Sequence, residues 1–490
     1  MPVDLDRLYA ALGTHADDLP LSDPGAVRSR GRQRSRGRHL AAAAATVILL
    51  GTATGVGWMM DRSGLPALQD RFISVEPVGA GIPMPLDPAS EAGSYGMASV
   101  VGQRAFGAGR TPDGHLLVGA IDLATGGPAW PTRDLGRWGD WMGMIALPQG
   151  VIVIGEHDDG TTPDHVAMVV DPASGTLRWQ VGVDDLQFEY FDSALVVLSS
   201  ADRLIRGLDW QTGAERWRRP IEPGDGTRML GNHSTGAVPA GRGPFGLATA
   251  PRDHRLLVID PAGTLEVLDA RTGDLIATHR EVGEPAVGDS RSYYRAYDGM
   301  LYGISSDTRP TRISGFDLDR PGRTRALYTV ASDDRRIVDA TPCGPRRLCV
   351  ISHGSPGADP GTIRADIAVI DVATGRLLWR RQASNILYAS ALGDRILTNN
   401  GQLYDRDGKL LLSVPRSTAG WVRTATLLLL SQPDVTGAGA DVEVAAVSAK
   451  DGARMPLGRI PAVAGSCSWS TTVLVCPTSE GFKTWRFATK

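Results

Sequence analysis

What the chain lacks removes several classes of function at once. Its 490 residues carry a net charge of only −3, so nothing in the overall balance draws it to nucleic acid. Lysine is scarce: of 51 basic residues only Lys409, Lys450, Lys483 and Lys490 are lysines, a bias of GC-rich genomes rather than a binding chemistry. No Gly-x-x-x-x-Gly-Lys-[Ser/Thr], His-Glu-x-x-His or Gly-x-Ser-x-Gly occurs, so phosphate-loop, zincin and α/β-hydrolase chemistry lack their local requirements. The acidic pairs at His157-Asp158-Asp159-Gly160 and Asp184-Asp185 lack the alternating spacing that gathers oxygens around calcium and read as solvated turns. No catalytic residue and no metal ligand is assigned.

What is present is a repeat. With 59 Gly, 32 Pro and 42% hydrophobic residues, the composition favours many short strands. A chain this long outgrows one ordinary core, a limit that side-by-side repeats escape. In Val369 to Trp379 an apolar run ends at Asp371, whose carboxylate can cap backbone N–H groups of a turn. Gly375 can take the positive φ that closes it, and Trp379 is best used against a neighbouring sheet. Close copies stand at Asp122, Gly126 and Trp130; Asp171, Gly175 and Trp179; Asp209, Gly213 and Trp217; and, without tryptophan, Asp269 and Gly273. In every tryptophan-bearing copy the tryptophan follows the aspartate by eight residues.

Weaker copies at Asp317, Asp405 and Ser448 fill the gaps, giving a mean interval of about 47 residues, within the range of four-stranded propeller blades. Arg255 to Asp260, Thr264 to Asp269 and Leu275 to His279 read as three successive strands of one blade. The expected fold is all-β, an eight-bladed propeller over residues 99–490 with seven blades as the alternative. A last hairpin, Thr472 to Cys476 and Gly481 to Phe487, is expected to close the ring by pairing with an early strand near Arg71 to Val75.

These Asp-x-x-Thr-Gly-x-x-x-Trp segments resemble the pyrroloquinoline-quinone-like (PQQ-like) β-propeller repeat family. The resemblance covers about residues 95–490 and is specific for fold. It implies two functional classes. Quinoprotein dehydrogenases of this kind hold the quinone with calcium beneath a pair of adjacent cysteines, whereas other members bind no quinone and act as protein-binding platforms. No Cys-Cys pair occurs here, so the chain is similar to the second class and no cofactor is expected.

Six arginines alternate through Val27 to Arg38, and the 21 residues from Leu40 to Met60 carry no charge. As a helix they would extend about 31 Å, enough to cross a bilayer, and the arginines place the N-terminus inside. The expected order is a cytoplasmic segment over 1–38, an uncleaved signal anchor over 39–60, and a Pro-rich extracytoplasmic tether over 61–98. A cleaved signal peptide is the competing reading. The expected partners are the lipid bilayer through residues 40–60 and an unidentified protein or envelope ligand, with no nucleic acid and a monomeric propeller.

Cys343 with Cys349 and Cys467 with Cys476 are spaced to link adjacent strands of hairpins in an oxidising compartment, free buried thiols being the alternative. The aromatic clusters offer Trp138, Trp141, Tyr190, Tyr293, Tyr294 and Arg295 as candidate binding residues, although packing between blades uses the same residue types.

Overall fold

The computed structural model describes residues 72–489 apart from 88–95, 158–164, 184–186, 222–225, 235–238, 244–245, 250, 281, 283–292, 306–309, 331–334, 355–362, 415–416, 424–425, 432–440 and 464–466. The basic run and the apolar segment 40–60 lie outside the described residues. Within the described residues every element is a strand, and no helix is long and apolar enough to cross a membrane.

The strands form antiparallel meanders of four. Six sheets have four strands each; a six-stranded sheet is one meander plus a hairpin, and an eight-stranded sheet is two meanders joined by a single parallel pair, His233 with Tyr297. That makes nine meanders among the described residues, called modules here. Module 1 runs from Met97–Val101 to Pro128–Arg137, module 2 from Asp140–Ala146 to Leu177–Gly182, and module 3 from Phe188–Tyr190 to Glu215–Pro220. Module 4 runs from Arg228–His233 to Leu275–His279, module 5 from Tyr293–Tyr297 to Arg325–Thr329, and module 6 from Arg336–Pro342 to Leu377–Ser384. Module 7 runs from Ala389–Leu392 to Leu410–Ser413, and module 8 from Ser417–Arg423 to Arg454–Pro461.

Module 9 draws on both ends of the described chain. Ser468–Trp469, Val473–Thr478 and Gly481–Ala488 are completed by Ser74–Pro83, which pairs antiparallel with Gly481–Ala488. The closing strand therefore begins inside the Arg71 to Val75 expected from sequence, at Ser74, and runs on to Pro83 through the stretch read as a tether. Gly79 and Gly81, both at positive φ, accommodate the register slip between Val78 and Ile82 that carries the strand on to Pro83.

Burial explains the strand patterns. Middle strands such as Val151–Glu156 are buried at every position, because sheets cover both of their faces. Last strands such as Leu177–Gly182 mix exposed and half-buried positions, as edges do. The buried apolar residues fall into clusters that each join two consecutive modules. One unites Trp130 of module 1 with Met144 of module 2, another Ile154 of module 2 with Leu195 of module 3, and so on along the chain. The cycle is completed by Leu430 and Val444 of module 8 against Trp485 of module 9, and by Phe482 of module 9 against Val100 and Ile121 of module 1.

The repeat motif supplies the joints between modules. The Asp209 carboxylate accepts N–H groups from Gln211 and Thr212 at 2.9 and 3.0 Å and the Thr212 hydroxyl at 3.1 Å, fixing the turn. The tryptophan eight residues on reaches the next module. Trp130 donates Nε1–H to the Pro172 carbonyl, Trp179 to that of Trp210, Trp217 to that of Ala270 and Trp379 to that of Arg406, at 3.0–3.3 Å. Each acceptor is the residue after the next turn aspartate. The glycine of that turn lies flat on the indole: a Cβ at Gly273 would stand 2.6 Å from the Trp217 ring. Gly273 also has a φ of 75°, so glycine is required there twice over.

Where the tryptophan is missing, the joint persists in other chemistry. Arg325 stands eight residues after Asp317 and donates to the Val372 and Ala373 carbonyls, the former being the residue after Asp371. Arg395 reaches the equivalent Ala449 carbonyl of module 8 at 2.5 Å. Between modules 4 and 5 the joint is an ion pair, Arg255 with Asp319 at 2.6 Å.

Both disulfides are formed, Cys343 to Cys349 in module 6 and Cys467 to Cys476 in module 9, each linking neighbouring segments of one hairpin.

The joint predicts a specific mutational pattern. Trp217→Ala should cost about 3–5 kcal/mol and Gly273→Ala about 1–3 kcal/mol. The double variant should cost less than their sum, because the methyl group introduced at position 273 then meets no ring. Urea unfolding of the two single variants and the double variant reads this directly; strict additivity would show that the two residues do not form a joint.

Candidate functional site

The first strand of each module is its inner strand. First strands of neighbouring modules approach one another, as Phe188–Tyr190 does Arg228–His233 and Tyr293–Tyr297 does Arg336–Pro342. In module 4 an extra hairpin, Pro239–Gly243 with Gly246–Thr249, leaves this region and pairs with the edge of Asp140–Ala146 in module 2.

Strand alternation divides the side chains of Tyr293–Tyr297 between two faces, Tyr293 and Tyr297 lying against the apolar cluster between modules 5 and 6. Tyr294 and Ala296 pack into the apolar cluster between modules 4 and 5. Tyr293, Arg295 and Tyr297 project the other way, and only part of each remains exposed. The Arg295 guanidinium lies 4.7 Å over the Tyr293 ring and donates to the Tyr294 carbonyl at 3.3 Å. On one flank is Glu189, 3.9 Å from Nε2 of His233, whose ring stands 6.0 Å from that of Tyr297. On the other flank is Asp339, which accepts the Thr341 hydroxyl at 2.8 Å. A register slip between Ile337 and Asp339 breaks the alternation of that strand.

Burial dominates the electrostatics. It pushes the Glu189 carboxyl up to about 7, against the opposing pull of the Gly231 amide and the Arg295 charge. Burial raises Asp339 too, again opposed by Arg295 and by the Thr341 hydroxyl. The Tyr293 phenol is raised by burial and by the nearby Asp339, and its buried hydroxyl has no hydrogen-bond partner. The cluster can therefore hold charge or take up protons near neutrality, and it offers a cation, aromatic walls and an unused hydroxyl in one place.

The candidate aromatics do not stay together. Trp138 and Trp141 pack between modules 1 and 2, with Trp138 donating to the Leu135 carbonyl at 3.1 Å. Tyr190 packs between modules 2 and 3 and Tyr294 between modules 4 and 5. Tyr293 and Arg295 lie in the inner cluster, and Tyr190, though packed between modules 2 and 3, faces its Glu189 and Tyr297. Glu189, His233, Tyr297 and Asp339 complete it, and of these Tyr297 belongs to the aromatic cluster Tyr293 to Tyr297 legible in the sequence. For Tyr297 the signal was present in the every-second-residue spacing of Tyr293, Arg295 and Tyr297; for His233 and Asp339 there was none. Among the described residues no three His, Cys, Asp or Glu side chains converge as a metal site.

A cycle of four-stranded antiparallel meanders defines a propeller-type repeat protein. Residues 114–279, from module 1 to the end of module 4, match the family described as outer membrane protein assembly factor BamB. That stretch carries the PQQ-like repeat. Among solved structures the chain is similar to BamB from Moraxella catarrhalis, at 15% identity over 82% of this chain and 100% of that one, with a TM-score of 0.39. It is similar to the computationally designed Ika8 protein at 15% identity over 72% and 98%, TM-score 0.43, and to Sqt1 of Saccharomyces cerevisiae at 10% over 80% and 100%, TM-score 0.41. No curated protein matches the chain.

The shifted carboxyls predict the pH dependence of stability. Glu189 is raised from 4.5 to about 7, so the folded state binds the extra proton between those values and stability falls as pH rises through them. The turn carboxylates Asp122, Asp171, Asp209, Asp269 and Asp371 are lowered from 3.8, so their contribution is present above that value and lost as pH falls below it. Glu189→Gln should flatten the loss of unfolding midpoint between about pH 4.5 and pH 7 and leave the acid limb unchanged. An unchanged slope in the variant would contradict the burial of this charge.

Proposed function

We propose that this chain is a membrane-anchored, extracytoplasmic binding platform without catalytic activity. One helix over residues 40–60 fixes it in the cytoplasmic membrane with the N-terminus inside, and a propeller outside presents its inner strands to a protein or envelope ligand. Each four-stranded module is one blade, so the blades number nine where the turn spacing suggested eight. The ninth escapes the spacing because it has no aspartate turn and takes its outer strand from residues 74–83.

One observation carries the reading. The module cycle buries most of its large apolar side chains between neighbours, and a concentration of polar and aromatic groups, Glu189, His233, Tyr293, Arg295, Tyr297 and Asp339, stands on the inner strands. Such a patch, aromatic and charged, is what recognition surfaces are made of. The six arginines before an uncharged stretch of 21 residues support the anchor and its orientation. Two disulfides suit an oxidising compartment. The name borne by the matched family, an outer membrane protein assembly factor, supports a role in contacting other proteins.

A quinoprotein dehydrogenase is the second reading, favoured by the PQQ-like repeat. Against it, the cysteine partners are separated by 6 and 9 residues rather than adjacent. Two measurements decide. A periplasmic-active reporter fused after Lys490 should be active and a cytoplasm-active one silent; the reverse would overturn the orientation. The purified chain, mixed with PQQ and calcium, should show neither stoichiometric quinone absorbance nor alcohol oxidation; both together would overturn the platform.

A further inference from the structure

Among the described residues, several partly buried arginines face carboxylates directly. Asp366, 0% exposed, is held by Arg335 at 2.6 Å and by Arg380. Arg219 meets Glu266 through hydrogen bonds of 3.1 and 2.9 Å, and Arg255 spans Asp253 and Asp319 at 2.8 and 2.6 Å. Arg295 departs from this pattern. It gives one hydrogen bond, to the Tyr294 carbonyl, and rests on the Tyr293 ring. Glu189 and Asp339 act on it through space, yet neither closes an ion pair with it.

A guanidinium offers five N–H donors, and the one protein acceptor that Arg295 has is the Tyr294 carbonyl. Beside it the Tyr293 hydroxyl is buried without a partner. The unused donors thus come from two side chains of one strand, two residues apart, on the same face. A ligand that satisfied them would be an acceptor with two oxygens in a plane, because the guanidinium fork presents parallel donors. It would be singly charged. A dianion such as phosphate would bring twice the charge against Glu189 and Asp339.

Resting on the platform reading of this cluster, we propose that Arg295 and Tyr293 form the receptor for one carboxylate group of a docking ligand, with the Tyr293 and Tyr297 rings as its apolar walls. The carboxylate takes two guanidinium N–H groups and the Tyr293 hydroxyl. Its arrival adds a negative charge beside Glu189 and Asp339, so binding favours their protonated forms and takes up protons. The groups facing this charge are Glu189 and Tyr190 from module 3, His233 from module 4, Tyr293, Arg295 and Tyr297 from module 5, and Asp339 with Thr341 from module 6. Affinity should therefore rise as pH falls through the range near 7 where Glu189 titrates.

The test is calorimetric titration of the full chain with N-acetylphenylalanine, its amide, and inorganic phosphate at about pH 6 and pH 8. The acid should bind saturably at one site, several-fold tighter at the lower pH and with proton uptake, while the amide and phosphate bind at least about tenfold more weakly. Tyr293→Phe should weaken the acid about tenfold and Arg295→Lys at least as much, whereas Tyr294→Phe, which alters a ring packed between modules, should leave it unchanged. Equal binding of acid and amide, tighter binding of phosphate, no binding of the acid, or indifference to Tyr293→Phe would each overturn the receptor. Should Arg295→Lys fail to fold, Tyr293→Phe still decides, since the hydroxyl it removes has no partner to lose. The orientation of the platform is read independently by the reporter fusions, so either proposal can fail alone.

Discussion

The structure depends on one joint: an indole N–H donated to the carbonyl beside the next turn aspartate, with the glycine of that turn lying against the ring. The tryptophan belongs to one module and the acceptor to the following one, so a module alone leaves both halves of a joint unmet. A four-stranded meander of this kind buries apolar residues on two faces, and each face needs a neighbour. Stability is therefore a property of the succession, and a succession with two ends leaves two faces bare. Pairing Ser74–Pro83 with Gly481–Ala488 removes both ends together.

The joint also accounts for what was legible in the sequence. The aspartate, glycine and tryptophan of one repeat lie within nine residues, and each type answers a local demand: a carboxylate that caps, a residue free to take positive φ, a flat apolar surface. Their spacing can therefore be read without knowing the fold. Leu275–His279 was legible to the residue for the same reason, being bounded by the turn before it. The module count was not. Module 9 has no turn of this kind, and only the start of its Ser74–Pro83 strand was legible, the rest looking like a Pro-rich linker until its partner some 400 residues away is known. The replacement of tryptophan by Arg325 was equally hidden, because arginine at that offset signals nothing until the Val372 and Ala373 carbonyls are seen beside it.

The inner cluster shows the other limit. Tyr293 and Arg295 could be singled out because aromatic and cationic residues crowd one short strand. Glu189, His233 and Asp339 come from three further strands, and only the cycle brings them together. The extra hairpin of module 4 reaching the edge of module 2 belongs to the same category, since a glycine-rich stretch carries no record of the strand that it meets. The two regions have opposite characters. Outer turns are locked by short, repeated hydrogen bonds, while the inner strands hold charges that burial has moved towards neutrality and donors without acceptors. A rigid outer frame lets such a cluster persist unmatched, as binding sites require.

The most direct measurement of the central joint is hydrogen exchange at the tryptophan indoles of the 15N-labelled protein. The Nε1–H groups of Trp130, Trp179, Trp217 and Trp379 should exchange only at the rate of global unfolding, together and independently of position along the chain. If these four exchange as fast as exposed indoles while the sheet amides stay protected, the modules are held by apolar contact alone and the joint is not what orders them.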